Sequence, residues 1–215
     1  MNNRWIGIAC LIAMAAASGL AYSRLPDSVP THWGINGEVD GYASRQFTVL
    51  FMPALGALLW AMLRVLGRFD PISRLESTTL YLHKAANWLA AFLLVLHLAI
   101  LGIGIGLRLN MVQIVVLAEG ALLALLGNEM SRLRRNSWAG IRVPWTLNDD
   151  EIWRRTHRVG ARVFVLAGVI TLLAALLFDG PVLFGVVMAA ALGAAIFSVG
   201  YSYRLALQKR NTSRQ

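Results

Sequence analysis

Asp149, Asp150 and Glu151 stand just ahead of His157 and Arg158, and no other stretch of the chain gathers so many groups able to move a proton. A carboxylate beside an imidazole can serve as general acid and base, or as part of a metal-ligand set. The spacing argues otherwise, because adjacent carboxylates point in different directions on a helix, and no His-Glu-x-x-His pair or nucleophile elbow occurs. After Pro144, either Thr146 with Asp149 or Asn148 with Glu151 fits a capping box. A helix is expected there, with the three acids in its first turn, where the positive end of the dipole favours them. Trp153 then shares a face with His157, and Arg154 with Arg158. Capping, with ion pairs to Arg142, Arg154 and Arg155, accounts for the same residues without catalysis. The arginines suit lipid phosphates or an acidic partner equally well.

A second polar set lies between Leu25 and Arg45, where Asp27, Glu38 and Asp40 accompany His32 and Trp33 among two prolines and three glycines. Such turn residues predict an ordered, compact loop. His32 with Asp40 offers a weak cation site, but no ligand spacing resembles a closed metal centre, and the side chains serve equally as caps of the turns. A third pair, His97 and Glu119, lies in apolar surroundings where ionisable groups are costly. Counting outward from Arg108 to Asn110 places the two at similar depth, so they are expected to meet, either as a proton relay or cation site or as a buried hydrogen bond.

The elements that must position these residues are membrane helices. The chain has 215 residues, 57% hydrophobic and only 14% charged, too little polar surface for a soluble globule of this size. Apolar runs near the 20 residues that cross a bilayer extend from Trp5 to Tyr22, Phe47 to Leu66, Ala85 to Leu107, Met111 to Gly127, Ala161 to Phe178 and Val182 to Tyr201. The expected fold is an all-α integral membrane protein with six transmembrane helices. The first run follows Arg4 but is long for a signal-peptide core, and is read as a retained span. Very short connections, at Arg108 to Asn110 and Asp179 to Pro181, make antiparallel hairpins of spans three with four and five with six.

Sidedness follows from the basic residues. Of 20 Lys and Arg, only Arg24, Arg45 and Arg108 fall on one side, while Arg4, the region from Arg64 to Lys84, the eight from Arg132 to Arg162 and the tail fall on the other. Both ends and the arm from 128 to 162 are therefore expected in the cytoplasm. Three units result: 1–66, two spans around the outer polar loop 23–46; 67–127, a helical hairpin; and 128–215, the arm with the last two spans and a basic tail. Because the basic residues flank apolar runs instead of covering one soluble face, the net charge of +9 points to lipids and not to nucleic acid. Cys10 is alone, so there is no disulfide framework, and no cofactor motif is present.

The run Asn136-Ser137-Trp138-Ala139-Gly140-Ile141-Arg142-Val143-Pro144-Trp145-Thr146-Leu147, followed by Asp149-Asp150-Glu151 and Thr156-His157-Arg158, resembles the signature of the SdpI family. The stretch from Leu25 to Arg45 resembles a short domain of unknown function found near the start of such proteins. With six spans, the resemblance covers essentially the whole chain. It implies a multi-pass protein of the bacterial cytoplasmic membrane that confers immunity to a secreted peptide toxin, with a soluble regulator recruited to the cytoplasmic arm. The expected binding residues are Asn136, Trp138, Gly140, Arg142, Pro144, Trp145, Asp149, Asp150, Glu151, Trp153, His157 and Arg158 inside, and Asp27, His32, Trp33 and Asp40 outside. Two rival functions remain from the residues alone: a small transporter or channel using His97 and Glu119 beside Asn87 and the run Gly102, Gly104, Gly106, and a membrane enzyme using the acidic run with His157.

Overall fold

A computed structural model describes residues 4–70, 72 and 76–212; Arg74 and Arg214, counted above for sidedness, lie outside them. In chain order the elements are α1 (Arg4–Ala21), β1 (Ser28–Trp33), β2 (Val39–Ser44), α2 (Arg45–Leu66), α3 (Glu76–Gly104), α4 (Met111–Met130), α5 (Pro144–Leu147), α6 (Asp150–Leu177) and α7 (Gly180–Thr212), with single 3-10 turns at Tyr22–Arg24 and Gly67–Phe69. Among the described residues six helices are long and apolar enough to cross a membrane. Their outward faces carry large exposed side chains such as Leu20, Leu58, Leu176 and Ile196, as lipid contact requires. The chain is a multi-pass, all-helical membrane protein with one small β-hairpin.

Helices α1, α2 and α3 pack together, and α4, α6 and α7 form a second group joined to the first through α3 against α4. The most extensive contact is not inside either short-linked hairpin but between α4 and α6. Small residues permit it: a Cβ at Gly120 would touch the Gly168 carbonyl oxygen at 3.0 Å, and one at Gly127 would lie 2.9 Å from Val165 N. With no hydrophobic drive between helices in lipid, such backbone approach supplies the dispersion contact that holds them.

At about 1.5 Å per residue, α6 and α7 are about 42 and 50 Å long, well beyond a hydrocarbon core of roughly 30 Å. The excess of both emerges at one end of the bundle. There the first turns of α6 and the last turns of α7 carry the arm 131–149. The turn signals between α1 and α2 do more than make a loop. They build an antiparallel hairpin pairing Ser28 with Ser44 and Val29 with Ala43, irregular near His32, and closed by Gly37, which has φ 81°. Alternation explains it: Val29 turns inward to join Leu25, Leu96, Ile100 and Met111 in one buried cluster, while Ser28 stays exposed.

Candidate functional site

The arm is a closed set of polar contacts. Asn136, fully buried, uses both ends of its amide: Nδ2 donates to the carbonyls of Arg134 and Ala139, at 2.8 and 3.2 Å, and Oδ1 accepts from the N–H groups of Trp138 and Ala139, both at 2.8 Å. At about 1 kcal/mol net per bond, this one side chain is a substantial part of the turn's stability. His157, also fully buried, donates from Nδ1 to the Trp153 carbonyl at 2.8 Å and accepts at Nε2 from the Ile141 N–H at 2.9 Å. Both ring nitrogens are therefore committed and the imidazole is held neutral in one tautomer. It stacks on Trp153 with centroids 3.9 Å apart, and Trp153 Nε1 donates to the Leu133 carbonyl at 2.8 Å.

Gly140 lies directly against this imidazole. Its φ of 104° belongs to the left-handed region, and any Cβ would collide with His157 Nε2. Thr146 donates to the Ile141 carbonyl at 2.7 Å and accepts from Val143 N–H at 3.1 Å, while Pro144 opens the single turn of α5. Trp145 Nε1 reaches Ser202 of α7 at 2.8 Å, with its ring against Tyr203. Arg142 and Trp138 remain exposed.

The acidic run is divided differently from the expectation. Neither capping box forms. Asp149 is itself the cap of α6, accepting from Glu151 and Ile152 N–H at 2.9 and 3.0 Å and from Lys209 at 2.5 Å. Thr146 is already engaged inside the preceding turn, so it cannot serve. Partial burial alone would raise the Asp149 carboxyl, but the Lys209 bond and the two backbone donors outweigh it and hold it below the usual carboxylate range. Asp150 pairs with Arg135 at 2.9 Å and Glu151 with Arg155 at 3.7 Å; Arg142 and Arg154, the other expected partners, pair with neither. An enzyme reading loses its base, because protonating His157 at Nε2 would break the bond to Ile141.

Two buried acids went unnoticed in the sequence. Asp70 Oδ1 accepts from Ser137 N–H at 3.2 Å and ties the α2–α3 connection to the arm. Glu129 pairs with Lys84 at 2.8 Å and Arg132 at 2.7 Å, joining the last turn of α4 to α3. Available signals were the Asp70-Pro71 pair, which marks a turn, and the i,i+3 spacing of Glu129 to Arg132.

His97 and Glu119 do not meet, which corrects the expectation from depth: equal depth does not imply a shared face. His97 is fully buried against α1, where Ser18 Oγ donates to the Val49 carbonyl at 2.7 Å and so accepts from His97 Nε2 at 2.9 Å. Asn87 accepts from Trp60 Nε1 at 3.1 Å, and Gly104 lies hard against Leu25 and Val29. These are packing roles, and they leave the transporter reading without its histidine.

Glu119 faces elsewhere, into a cavity of about 430 Å3 between the hairpin and α2, α3, α4 and α7. Its walls are apolar, with Met52, Ile100, Val115 and Val187 among them, and β1 roofs it with His32 and Trp33. Among the described residues Glu119 has no hydrogen bond or ion pair. A second cavity of about 710 Å3 adjoins it and shares Ile35, Met111, Val112 and Leu183. Around the roof, Asp27 pairs with Arg45 at 2.6 Å, Arg45 covers the Tyr22 ring, and His32 contacts Asp40. Among the described residues no third metal-ligating side chain joins that last pair.

Residues 132–202 match the model of the SdpI/YfhL protein family, and residues 9–57 match a domain of unknown function, DUF1648. Over 214 residues, covering 100% of both chains, the sequence is 27% identical to the Immunity protein SdpI of Bacillus subtilis. An uncharacterized protein of Archaeoglobus fulgidus is 40% identical over 57 residues, 26% of this chain and 31% of that one. No solved structure matches. The segment matched by the SdpI/YfhL model contains the whole saturated arm together with α6 and the membrane part of α7, the segment matched by DUF1648 holds most of α1, the β-hairpin and the first half of α2, and the chain is similar to the SdpI/YfhL protein family over the first of these.

Proposed function

We propose that this chain is an immunity protein of the bacterial cytoplasmic membrane, which protects its cell by binding a membrane-active peptide in the groove beneath the β-hairpin. The observation that carries the reading is Glu119, an unpartnered carboxylate in a largely apolar groove. A carboxylate at that depth is costly unless something meets it. An apolar peptide segment bearing one positive charge fits on both counts, and the cavity lies within the usual size range of ligand sites. End-to-end similarity to a protein named for immunity supports the same class. The hairpin faces outside and the arm inside, as the basic residues favour.

Signalling to a soluble regulator is the finer part of the proposal. Helices α4 and α7 line the groove with Glu119 and Val187, and they also carry the arm through Met130 and Ser202. A peptide that moves either helix shifts the arm with it.

The test is survival. A sensitive host expressing the chain should withstand the cognate peptide, and the Glu119→Gln variant, at equal membrane level, should not. Protection by both alike would remove the groove as the site, and protection by neither, across related secreted peptides, would remove immunity itself. In a Cys10→Ser background, an impermeant thiol reagent should label Asn36→Cys and not Ser137→Cys on intact cells; the reverse pattern would invert the sidedness.

A further inference from the structure

Four arginines converge where no acid answers three of them. Arg132 and Arg134, just past α4, and Arg154 and Arg158, on one face of α6, line a cavity of about 290 Å3 with Ser131. The acids at this end are spent elsewhere: Asp149 on Lys209, Asp150 on Arg135, Glu151 on Arg155, and Glu129 on Lys84 and Arg132. Among the described residues, Arg134, Arg154 and Arg158 therefore have no carboxylate partner. The cluster is also held in place. Asn136 pins the Arg134 carbonyl, and Trp153 Nε1 pins that of Leu133, so the turn cannot swing its arginines apart without breaking buried hydrogen bonds.

Depth indicates what fills it. Arg158 and Arg154 precede the uncharged apolar stretch of α6, which begins at Val163, by about 7.5 and 13.5 Å along the helix axis. The headgroup layer of one leaflet is roughly 5–8 Å thick. Arg158 thus lies at the headgroup layer and Arg154 one turn further toward water, on the same arm end as the exposed indole of Trp138, a ring suited to that layer. Guanidinium forks bind phosphate oxygens in pairs, and a phosphodiester brings the negative charge that Arg134, Arg154 and Arg158 lack.

We propose that Ser131, Arg132, Arg134, Arg154 and Arg158 form a phosphate-binding site filled by the headgroup of an anionic lipid, which seats the arm on the bilayer. The site does not depend on sidedness, since both leaflets present phosphates, nor on the peptide groove.

The purified full chain, held in phosphatidylcholine nanodiscs, tests it by thermal unfolding and by mass spectrometry of retained lipid as phosphatidylglycerol is added. Wild type should gain stability and retain phosphatidylglycerol, while Arg154→Gln with Arg158→Gln should bind it roughly 30-fold more weakly, at about fivefold per charge near the surface. Arg204→Gln with Arg210→Gln removes equal charge outside the cavity and should leave the effect intact. Arg154→Lys with Arg158→Lys keeps charge and fold but loses the fork, so it should fall between wild type and the Gln pair. Inorganic phosphate producing the same variant-dependent shift without lipid would support the site with a soluble occupant. Equal response in wild type and the Gln pair, equal loss in the Arg204 control, or no response to either ligand would overturn the proposal.

Discussion

The two ends of this molecule treat their polar groups in opposite ways. At the arm, the side chains of Asn136, His157, Thr146 and Trp153 spend their hydrogen-bonding capacity on backbone groups, Trp145 spends its own on Ser202, and the acidic run is neutralised by Lys209, Arg135 and Arg155. At the hairpin end, a carboxylate without a partner faces open apolar space under a roof of two short strands. The richest motif is thus the least available for chemistry, because saturation of donors and acceptors is what a buried structural joint requires and what a binding site must avoid.

That contrast can be broken most sharply at Gly140. Gly140→Val forces a Cβ into the imidazole at a positive φ, and a loss of about 4 kcal/mol or more is expected, read as a collapsed unfolding midpoint or failure to accumulate in membranes. A normal midpoint would show that the joint at His157 accepts a side chain at residue 140. Asn136→Ala should cost about 2–3 kcal/mol, since it strands two backbone N–H groups and two carbonyls in a buried turn, and limited proteolysis should then cut the arm first.

Asp149→Ala should cost about 1 kcal/mol, the usual value of an N-cap. Its pH dependence has a definite sign: a folded carboxyl held below its ordinary range stabilises above the unfolded value and loses that contribution as pH falls through the folded one. The gap between wild type and Asp149→Ala should therefore be complete at neutral pH and close below about pH 4. Glu119→Gln should do least to stability, within about 0.5 kcal/mol in denaturation of the purified protein, because no partner is lost. A large loss there would make Glu119 structural and erase the difference between the two ends.

Much of this was legible in the residues. The apolar runs placed all six spans, and the stacking of Trp153 on His157 followed from a four-residue helical spacing. What was missed had no local signature. Ser18 accepting from His97, Asp70 holding Ser137 and Ser202 accepting from Trp145 join residues 79, 67 and 57 positions apart, and no periodic pattern encodes such pairs.

Hydrophobicity and length determined by themselves that the chain crosses a membrane six times, because hydrocarbon leaves a backbone no option but internally bonded helices. Which polar residue met which was decided only when the helices packed. Rotation about a helix axis is set by small-residue contacts such as Gly120 on Gly168, and that rotation turned His97 toward Ser18 and left Glu119 facing the groove.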